Sequence, residues 1–548
     1  MNGGKTAGII AIAFAILYSL GIAWGMPSEF VSEIDSEFPS GPFNILSHLS
    51  DSGYISNYPV FHKLILLPVY AVIILIFKIT GHLSSFGSTW PYGFDDPAVA
   101  MTSMIVAARI ISLIMGAGTI YVLVLLASRR IESIGIKNSP LAFSPVIAFG
   151  LSGVIAYYSR VSNYDVPQLF WWSLSFYFLW QFVSETARRK ALVLSALFGA
   201  LAVATKDQTV FFVAGSSLLL FIVPCSEKNF TRRAMNVAVY TLVAVGFYSV
   251  AAIFIQPLHW VSHLKQALFL NITSGQFAVF PGSPAGQASL FSEVFRCLSH
   301  VISPLGIVLG AAGLVVFIMK RKWAILAFIG LPIVFTYIFI FAKIHFVFER
   351  YMLNYAFLFT LAAAWGIRYA IGSFSPRTVR YVLPVCYALT GCWFLYQLVF
   401  SFVPLTWAQV HDTKKQLASV LPSIVPAGDT ISWQGARFSL PNATVYSKYR
   451  FAIPDSVYDS LHSSRMGHVF VRSDEKRTWV LSDRDLFSYN NTLPEIARRN
   501  WTDTAGLKLV AKIEAPPFIR NNIKVYSIAH QLMTFRVSIP YYLYKRNQ

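Results

Sequence analysis

Long apolar runs recur from residue 6 to residue 402, and this repetition constrains the fold more than any other feature of the sequence. A helix needs about 20 apolar residues to cross the hydrocarbon core of a membrane. One pair of runs is short and is interrupted by Lys206, Asp207 and Gln208, so we interpret it as two partial spans. The predicted spans are residues 6–25, 104–127, 139–158, 166–184, 191–205, 209–225, 234–256, 303–319, 323–342, 351–371 and 379–402.

The composition favours the same class of protein. Of the 548 residues, 55% are hydrophobic and only 13% are charged, whereas soluble proteins carry about 25% charged residues. The formal net charge of +19 would suggest nucleic-acid binding in a soluble chain. Many of the lysines and arginines lie in short clusters between apolar runs, however, which is typical of the cytoplasmic side of membrane helices. We therefore predict a membrane-embedded chain without a nucleic-acid partner.

Basic residues fall in alternate short loops, and this pattern predicts the orientation. The positive-inside rule assigns such loops to the cytoplasm, so the N-terminus is predicted to be cytoplasmic and the C-terminus extracytoplasmic. Segments 26–103, 257–302 and 403–548 then lie outside. Counting the apolar stretch 63–77 as a twelfth span would move every basic loop outside, so we interpret it as a helix lying at the outer membrane face. The basic loops contain Arg129 and Arg130, Arg188 to Lys190, Lys228 to Arg233, Lys320 to Lys322, and Arg368 to Arg380.

The chain changes character near residue 403. Apolar runs shrink to strand length, alternate or contain β-branched residues, and are separated by turn residues. The predicted fold is an α-helical polytopic membrane domain with about 11 transmembrane helices over residues 1–402, followed by a soluble extracytoplasmic α/β domain over 403–548. The predicted strands are 430–433, 445–447, 468–471, 479–481, 507–513 and 523–528.

Carboxylates are concentrated in the first predicted outside loop. Glu29, Glu33, Asp35 and Glu37 follow the first span within one short stretch. A carboxylate there could act as the general base on an acceptor hydroxyl or amine, or bind a metal ion. The alternative interpretation is a solvated acidic loop, because charge clusters are usually solvated.

Other charged residues are predicted at the outer membrane boundary. Asp165 and Lys206 lie in short turns between spans, and Arg350 lies at the start of one. Cations there can bind a lipid phosphate, whereas the alternatives are local ion pairs with Arg160 or Asp207 and simple interface anchors. Ionisable groups at membrane depth are costly and are often functional. The candidate phosphate-binding residues are His62, Lys63, Lys206, His345 and Arg350.

Read in order, these segments resemble the GT-C superfamily, especially its protein O-mannosyltransferase and aminoarabinose-transferase branch. Residues 59–63 are similar to a Pro-Pro-Leu-Gly-Lys motif, and 108–116 to an Arg-Leu-Pro-Ser-Ala-Leu-Phe-Gly span. Residues 159–165 look like an Arg-Phe-x-x-x-Asp turn, 204–207 like a Leu-Thr-Lys-Gly turn, and 350–354 like an Arg-Tyr-Leu-Leu-Pro span start. The chain departs from the pattern because it has no Asp-Glu pair in the first loop, Asp207 in place of Gly and Asn354 in place of Pro.

The resemblance implies inverting transfer of a sugar from a polyprenyl- or dolichyl-phosphate donor to a protein, lipid or glycan acceptor outside the cytoplasm. It implies Asp35 as general base, with Glu33 and Glu37 as alternatives, and Asp165 as a group that positions the acceptor or the base. Members differ in their use of a divalent metal, so a metal stays open.

Two other functions stay open at the level of sequence. One is a multi-pass transporter or flippase, although such proteins often carry inverted repeats and midplane charges, and here the charges cluster at one face. The other is a GT-C-fold assembly protein without catalysis. The membrane is either a bacterial plasma membrane or that of the endoplasmic reticulum, because the four predicted outside sequons at Asn271, Asn442, Asn490 and Asn500 are compatible with a eukaryotic lumen.

Overall fold

The structure is a computed structural model, and its described residues cover most of the apolar part of the chain and parts of the C-terminal region. The described residues are 3–26, 39, 41–43, 58–87, 92–128, 141, 143–184, 189–222, 230–255, 257, 260–261, 280–345, 347–373, 375–426, 429–434, 450–452, 479–482, 507–514, 516 and 541–546.

Helices follow the predicted apolar runs closely. Short 3₁₀ or π segments adjoin several of them, at Asp207–Thr209, Ser249–Ile253, Tyr337–Phe341, Glu349–Met352 and Leu398–Phe402. The α-helices are α1 (Gly3–Ser19), α2 (Phe61–Ile79), α3 (Pro97–Ser128), α4 (Ser144–Gly150), α5 (Gly153–Tyr158), α6 (Asp165–Ser184), α7 (Arg189–Thr205), α8 (Val210–Ser217), α9 (Leu219–Ile222), α10 (Phe230–Tyr248), α11 (Pro284–Met319), α12 (Trp323–Thr336), α13 (Ala342–Ile344), α14 (Leu353–Ser373), α15 (Pro376–Gln397), α16 (Val403–Val410) and α17 (Thr413–Ile424).

In the described part of the chain, seven helical stretches are long and apolar enough to cross a membrane. The chain is thus a multi-pass membrane protein. Helix α2 is one of these seven stretches, whereas the sequence pattern predicts that residues 63–77 lie along the outer membrane face. The stretches are Phe61–Ile79, Pro97–Ser128, Phe230–Ile253, Pro284–Met319, Trp323–Ile344, Glu349–Gly372 and Arg377–Ile424.

Several predicted helix boundaries need correction. Helix α1 ends at Ser19, before the predicted end at residue 25, and α3 begins at Pro97, before the predicted start at residue 104. The continuous span predicted at 139–158 is broken at Ser152, whose extended backbone (φ −60°, ψ 130°) separates α4 from α5. The Gly153 N–H that this break releases donates to Ser401 Oγ at 2.7 Å. Helix α11 begins at Pro284, well before the predicted start at residue 303, because Ser283 caps it by accepting from the Gly286 N–H at 3.2 Å. It bends at Ser303, which has non-helical angles ahead of Pro304.

The chain divides into two compact units, which are described separately. Unit 1 comprises Met1–Ser19, Ser36–Leu75 and Ala107–Phe402. Within it, α6 and α7 are joined by reciprocal hydrogen bonds, in which the hydroxyl of each of Ser175 and Ser195 donates to the backbone carbonyl of the other at 2.7 and 2.8 Å. Small polar residues of this kind let membrane helices approach and hydrogen-bond.

Close packing of α11 on α14 depends on glycine. A Cβ atom added to Gly313 would lie 2.1 Å from the Ala362 carbonyl oxygen, and one added to Gly366 would lie 2.3 Å from the Gly313 Cα. Any larger residue would therefore separate the two backbones. Because this contact holds α14 in place, it also fixes the residues at the start of that helix, where the candidate site lies.

Unit 2 comprises Leu20–Asp35, Ile76–Val106 and Val403–Gln548. Its five described strands form a mixed sheet in the order β2-β1-β3-β5-β4. Strand β1 pairs in parallel with β2 and β3, while β5 pairs antiparallel with β3 and β4. The strands are β1 (Thr430–Gln434), β2 (Arg450–Ala452), β3 (Trp479–Ser482), β4 (Leu507–Ile513) and β5 (Tyr541–Arg546).

The strand predictions agree with this sheet in three places, since β1, β3 and β4 lie where alternation predicted them. Strand β5 was missed, and β2 begins after the predicted strand at 445–447. That predicted strand and those at 468–471 and 523–528 lie outside the described residues.

Candidate functional site

A buried ion pair joins two of the predicted site residues. Asp165 opens α6, and Lys206 follows directly after the last residue of α7. The Lys206 ammonium donates to Asp165 Oδ1 at 2.5 Å, and each side chain is only 4% exposed. The helix dipole stabilises a carboxylate at a helix N-terminus and an ammonium at a helix C-terminus. The antiparallel packing of α6 on α7 therefore brings the two charges together and stabilises each.

Two aromatic rings enclose the lysine. Its Nζ lies 4.7 Å from the ring centroid of Tyr351 and 5.7 Å from that of Tyr58, distances at which a cation is attracted to the ring face. Burial acts to lower the pKa of the Lys206 ammonium, but the Asp165 carboxylate, Tyr58 and Tyr351 offset it, so that the pKa is raised. The ammonium therefore keeps its charge despite its depth.

Arg350 brings a second cation to the same place. It lies in the 3₁₀ turn Glu349–Met352 ahead of α14, and its guanidinium lies 5.2 Å from the Phe348 ring centroid and 5.5 Å from that of Tyr351. The guanidinium makes no hydrogen bond or ion pair with any residue that the structure describes. A guanidinium supported on rings presents its N–H groups in a fixed fork that matches a phosphate.

A chain of side-chain hydrogen bonds lies beside the charges. The Thr209 hydroxyl donates to Gln168 Oε1 at 2.9 Å, and Gln168 Nε2 donates to Asn354 Oδ1 at 2.9 Å. The chain of hydrogen bonds stops there, because Asn354 Nδ2 is buried without a partner in the described part of the protein. The buried hydroxyl of Thr336 likewise has no partner among those residues. Buried polar atoms are nearly always paired, so two unpaired atoms at one place call for an explanation.

The charged and amide side chains line one cleft of unit 1. The cleft is partly open, and its empty space of about 330 Å³ includes open solvent. Its lining combines charged and hydrogen-bonding side chains with aromatic and aliphatic ones. The described residues that line it are Asp165, Gln168, Lys206, Gln208, Thr209, Phe212, Thr336, Ile340, Phe341, Arg350, Tyr351 and Asn354.

Three of the predicted site residues thus share this cleft, namely Asp165, Lys206 and Arg350. The others are not among its described lining. His62 is fully buried on α2, with its ring centroid 5.8 Å from that of Tyr164. Neither of its ring nitrogens has a hydrogen-bond partner within the described segments. Lys63 is buried beside it.

The Tyr58 ring connects this histidine with the cleft. Its centroid lies 4.7 Å from that of Tyr164, which packs on His62, and the same Tyr58 ring lies under the Lys206 ammonium. His345 is held elsewhere, since its Nδ1 lies 3.1 Å from Gln287 Nε2.

The predicted base and its alternatives, Asp35, Glu33 and Glu37, lie outside the described residues. Their role as general base therefore stays a prediction. Among the residues that the structure describes, no group of three or more His, Cys, Asp or Glu side chains could hold a metal ion. We assign no metal.

Sequence reasoning missed the amide and hydroxyl groups of the cleft. Gln168, Thr209 and Thr336 lie within or beside apolar runs, where a single polar residue is a common and uninformative feature. In the sequence, Asn354 stands out only because it occupies the place of the Pro in the Arg-Tyr-Leu-Leu-Pro motif. The available signal was its position four residues after Arg350, one helical turn along the chain.

A second buried carboxylate lies directly before Arg350. Glu349 Oε1 is 3.2 Å from His300 Nδ1 and 4.0 Å from an Arg296 guanidinium nitrogen. Arg296 also forms a bidentate pair with Glu293 on the same helix. These contacts tie the 3₁₀ turn to α11 and so hold the backbone of Arg350 in position.

Comparison with known proteins gives matches in structure alone. No family model matches the chain, and no curated protein matches it in sequence. The chain is similar to the crystal structure of ArnT from Cupriavidus metallidurans bound to undecaprenyl phosphate, with a TM-score of 0.42, 12% identity, and coverage of 93% of this chain and 97% of that one. It is also similar to the Archaeoglobus fulgidus oligosaccharyltransferase in complex with Zn and sulfate, with a TM-score of 0.41, 12% identity, and coverage of 93% and 72%.

Both of these proteins are GT-C glycosyltransferases, the superfamily that the sequence motifs resemble. The apo form of the same ArnT matches with a TM-score of 0.40 and 12% identity over 90% of this chain and 95% of that one.

Proposed function

We propose that the chain is a membrane glycosyltransferase that moves a sugar from a polyprenyl- or dolichyl-phosphate donor to a protein, lipid or glycan acceptor on the extracytoplasmic side. The membrane is a bacterial plasma membrane or that of the endoplasmic reticulum, with the N-terminus in the cytoplasm. The observation that carries this proposal is that two cations, Lys206 and Arg350, line the same cleft of a multi-pass membrane protein.

The charges of the cleft suit a lipid phosphate. Asp165 forms an ion pair with Lys206 and also attracts the Arg350 guanidinium, so the two cations exceed the one carboxylate of the described lining by one positive charge, which remains for a ligand. Phosphate accepts several charge-assisted hydrogen bonds, and the guanidinium fork is suited to two of them. Aromatic rings under both cations hold the donors in place before the ligand arrives.

The proposed reaction is an inverting displacement. Asp35 accepts the proton of the acceptor hydroxyl or amine while the acceptor atom attacks the anomeric carbon from the face opposite the phosphate. The bond between that carbon and the phosphate oxygen breaks, and the electron pair stays on the lipid phosphate. Arg350 and Lys206 stabilise the charge that develops on this leaving group, and Asp165 keeps the lysine in position.

Release of radiolabelled sugar from a polyprenyl-phosphate-sugar tests the proposal in purified protein. We expect release by the unchanged protein and a KM for donor about 10- to 150-fold higher in Arg350→Ala, because a charge-assisted hydrogen bond contributes about 1.5–3 kcal/mol. The matched control is Arg377→Ala, which removes an exposed arginine at the start of α15 and should leave KM unchanged.

Two results would count against the proposal. A transporter or an assembly protein would release no sugar at any donor concentration. Equal donor kinetics in Arg350→Ala and Arg377→Ala, with both variants shown to be folded by thermal shift, would mean that the donor phosphate does not bind in this cleft.

A further inference from the structure

Two buried polar side chains that line the cleft beside the cations carry unpaired atoms. Asn354 is 2% exposed and Thr336 is 1% exposed. Neither Asn354 Nδ2 nor Thr336 Oγ1 has a hydrogen-bond partner among the residues that the structure describes. Leaving a buried donor unpaired destabilises a fold, so a ligand that supplied partners to both atoms at the cleft wall would remove this cost.

The orientation of the Asn354 amide is set by its neighbours. Thr209 donates to Gln168, and Gln168 donates in turn to the carbonyl oxygen of Asn354. The amide nitrogen of Asn354 is thereby left as a donor that the described residues do not use. Thr336, whose hydroxyl can donate or accept, completes a pair of neutral hydrogen-bonding groups.

The charges of the cleft distinguish between kinds of sugar. Its described lining carries two cations, Lys206 and Arg350, and one carboxylate, Asp165, which is already paired with the lysine. An ammonium group on a sugar would be repelled by the surplus positive charge and could not satisfy an amide donor. A hydroxyl or an acetamido oxygen could accept from Asn354 without any charge penalty.

We propose that the cleft binds the sugar of the donor as well as its phosphate, and that this sugar is neutral and rich in hydroxyl groups rather than an amino sugar. The inference rests on the proposed function and specifies the substrate of the same site. Arg350 and Lys206 hold the phosphate, Asn354 and Thr336 recognise sugar oxygens, and the rings of Phe212, Phe341 and Tyr351 pack against the apolar face of the sugar.

Binding of three lipids to the purified full-length chain tests this inference. The probes are polyprenyl phosphate, a polyprenyl-phosphate neutral hexose and a polyprenyl-phosphate amino sugar, each titrated at neutral pH in the same detergent. We expect the hexose lipid to bind more tightly than the bare phosphate, and the amino-sugar lipid to bind more weakly than the hexose lipid.

Two nearly isosteric variants assign the effect to named atoms. Thr336→Val and Asn354→Leu should each weaken binding of the hexose lipid by about 2- to 12-fold, the range of one net hydrogen bond. Each should leave binding of bare polyprenyl phosphate unchanged. The matched control is Thr360→Val, because the Thr360 hydroxyl on α14 is also buried and has no partner among the described residues, but Thr360 does not belong to the described lining of the cleft. It should leave binding of all three lipids unchanged.

The outcomes separate the inference from the function on which it rests. If none of the lipids binds, the phosphate site itself is wrong and the inference falls with it. If bare phosphate binds but the amino-sugar lipid binds as tightly as the hexose lipid, only the inference is overturned. It is also overturned if Thr336→Val and Thr360→Val behave alike. Thr336→Val removes an unpaired hydroxyl without changing volume much, so loss of folding is not expected to obscure the result.

Discussion

Breaking the Asp165–Lys206 pair from one side should destabilise the protein far more than replacing both partners. The two charged atoms lie 2.5 Å apart with both side chains 4% exposed. Unit charges at that separation attract by roughly 7 kcal/mol at an effective dielectric constant of about 20, but most of this offsets the cost of removing both charges from water. Removing one partner leaves the other buried and uncompensated, which costs about 3–5 kcal/mol.

The perturbations are Asp165→Asn, Lys206→Met and the two together. We expect each single variant to lose about 3–5 kcal/mol of stability, and the double variant to lose less than either because it leaves no buried charge. Unfolding in mixed micelles with increasing denaturing detergent, followed by tryptophan fluorescence, gives the three free energies. Donor turnover is measured on the same preparations, and the double variant should stay inactive although it is stable.

Two results would contradict this reasoning. If the losses of the single variants simply add in the double variant, the side chains are not energetically paired. If the stable double variant transfers sugar at the unchanged rate, the pair only supports the fold, and the phosphate is held elsewhere.

Two further predictions concern residues outside the described part of the chain. Asp35→Asn removes a base at nearly constant side-chain size, so the rate of single-turnover transfer at saturating donor should fall by about 10²- to 10⁴-fold while donor binding persists. The controls are Glu33→Gln and Glu37→Gln. A normal rate in Asp35→Asn beside an inactive Glu37→Gln would identify Glu37 as the base instead. The orientation is tested in a variant in which the four native cysteines are replaced and a single cysteine is introduced at Ser456 or at Ser133. A membrane-impermeant thiol reagent applied from outside should label the cysteine at Ser456 and not the one at Ser133. The reverse pattern would place the C-terminal region in the cytoplasm.

The helices were predictable because their signal is local. The length of an apolar run predicts a helix, and the interruption at Lys206 to Gln208 correctly marked the end of α7 and a short 3₁₀ turn before α8. The break at Ser152 was missed since Gly150, Leu151, Ser152 and Gly153 are compatible with a continuous membrane helix. The partner of the Gly153 N–H at this break is Ser401, which lies 248 residues further along the chain, so the sequence near Ser152 does not reveal it.

The candidate site was predictable in its charges and not in its contacts. Asp165, Lys206 and Arg350 were all predicted at one membrane boundary, and all three line one cleft. Local reasoning offered Arg160 as a partner for Asp165. The structure pairs Asp165 with Lys206, 41 residues away, while the Arg160 guanidinium donates to the carbonyl oxygens of Leu17 and Tyr18. Such pairs follow from which helices pack together, and sequence spacing does not report that.

A cryo-electron microscopy structure of the full chain with bound polyprenyl phosphate would show where the lipid phosphate binds. We expect phosphate density in the cleft within hydrogen-bonding distance of the Arg350 guanidinium, with the Lys206 ammonium beside it and still paired with Asp165. This expectation would be contradicted by phosphate density bound elsewhere on the protein while Arg350 and Lys206 remain without contact to the lipid.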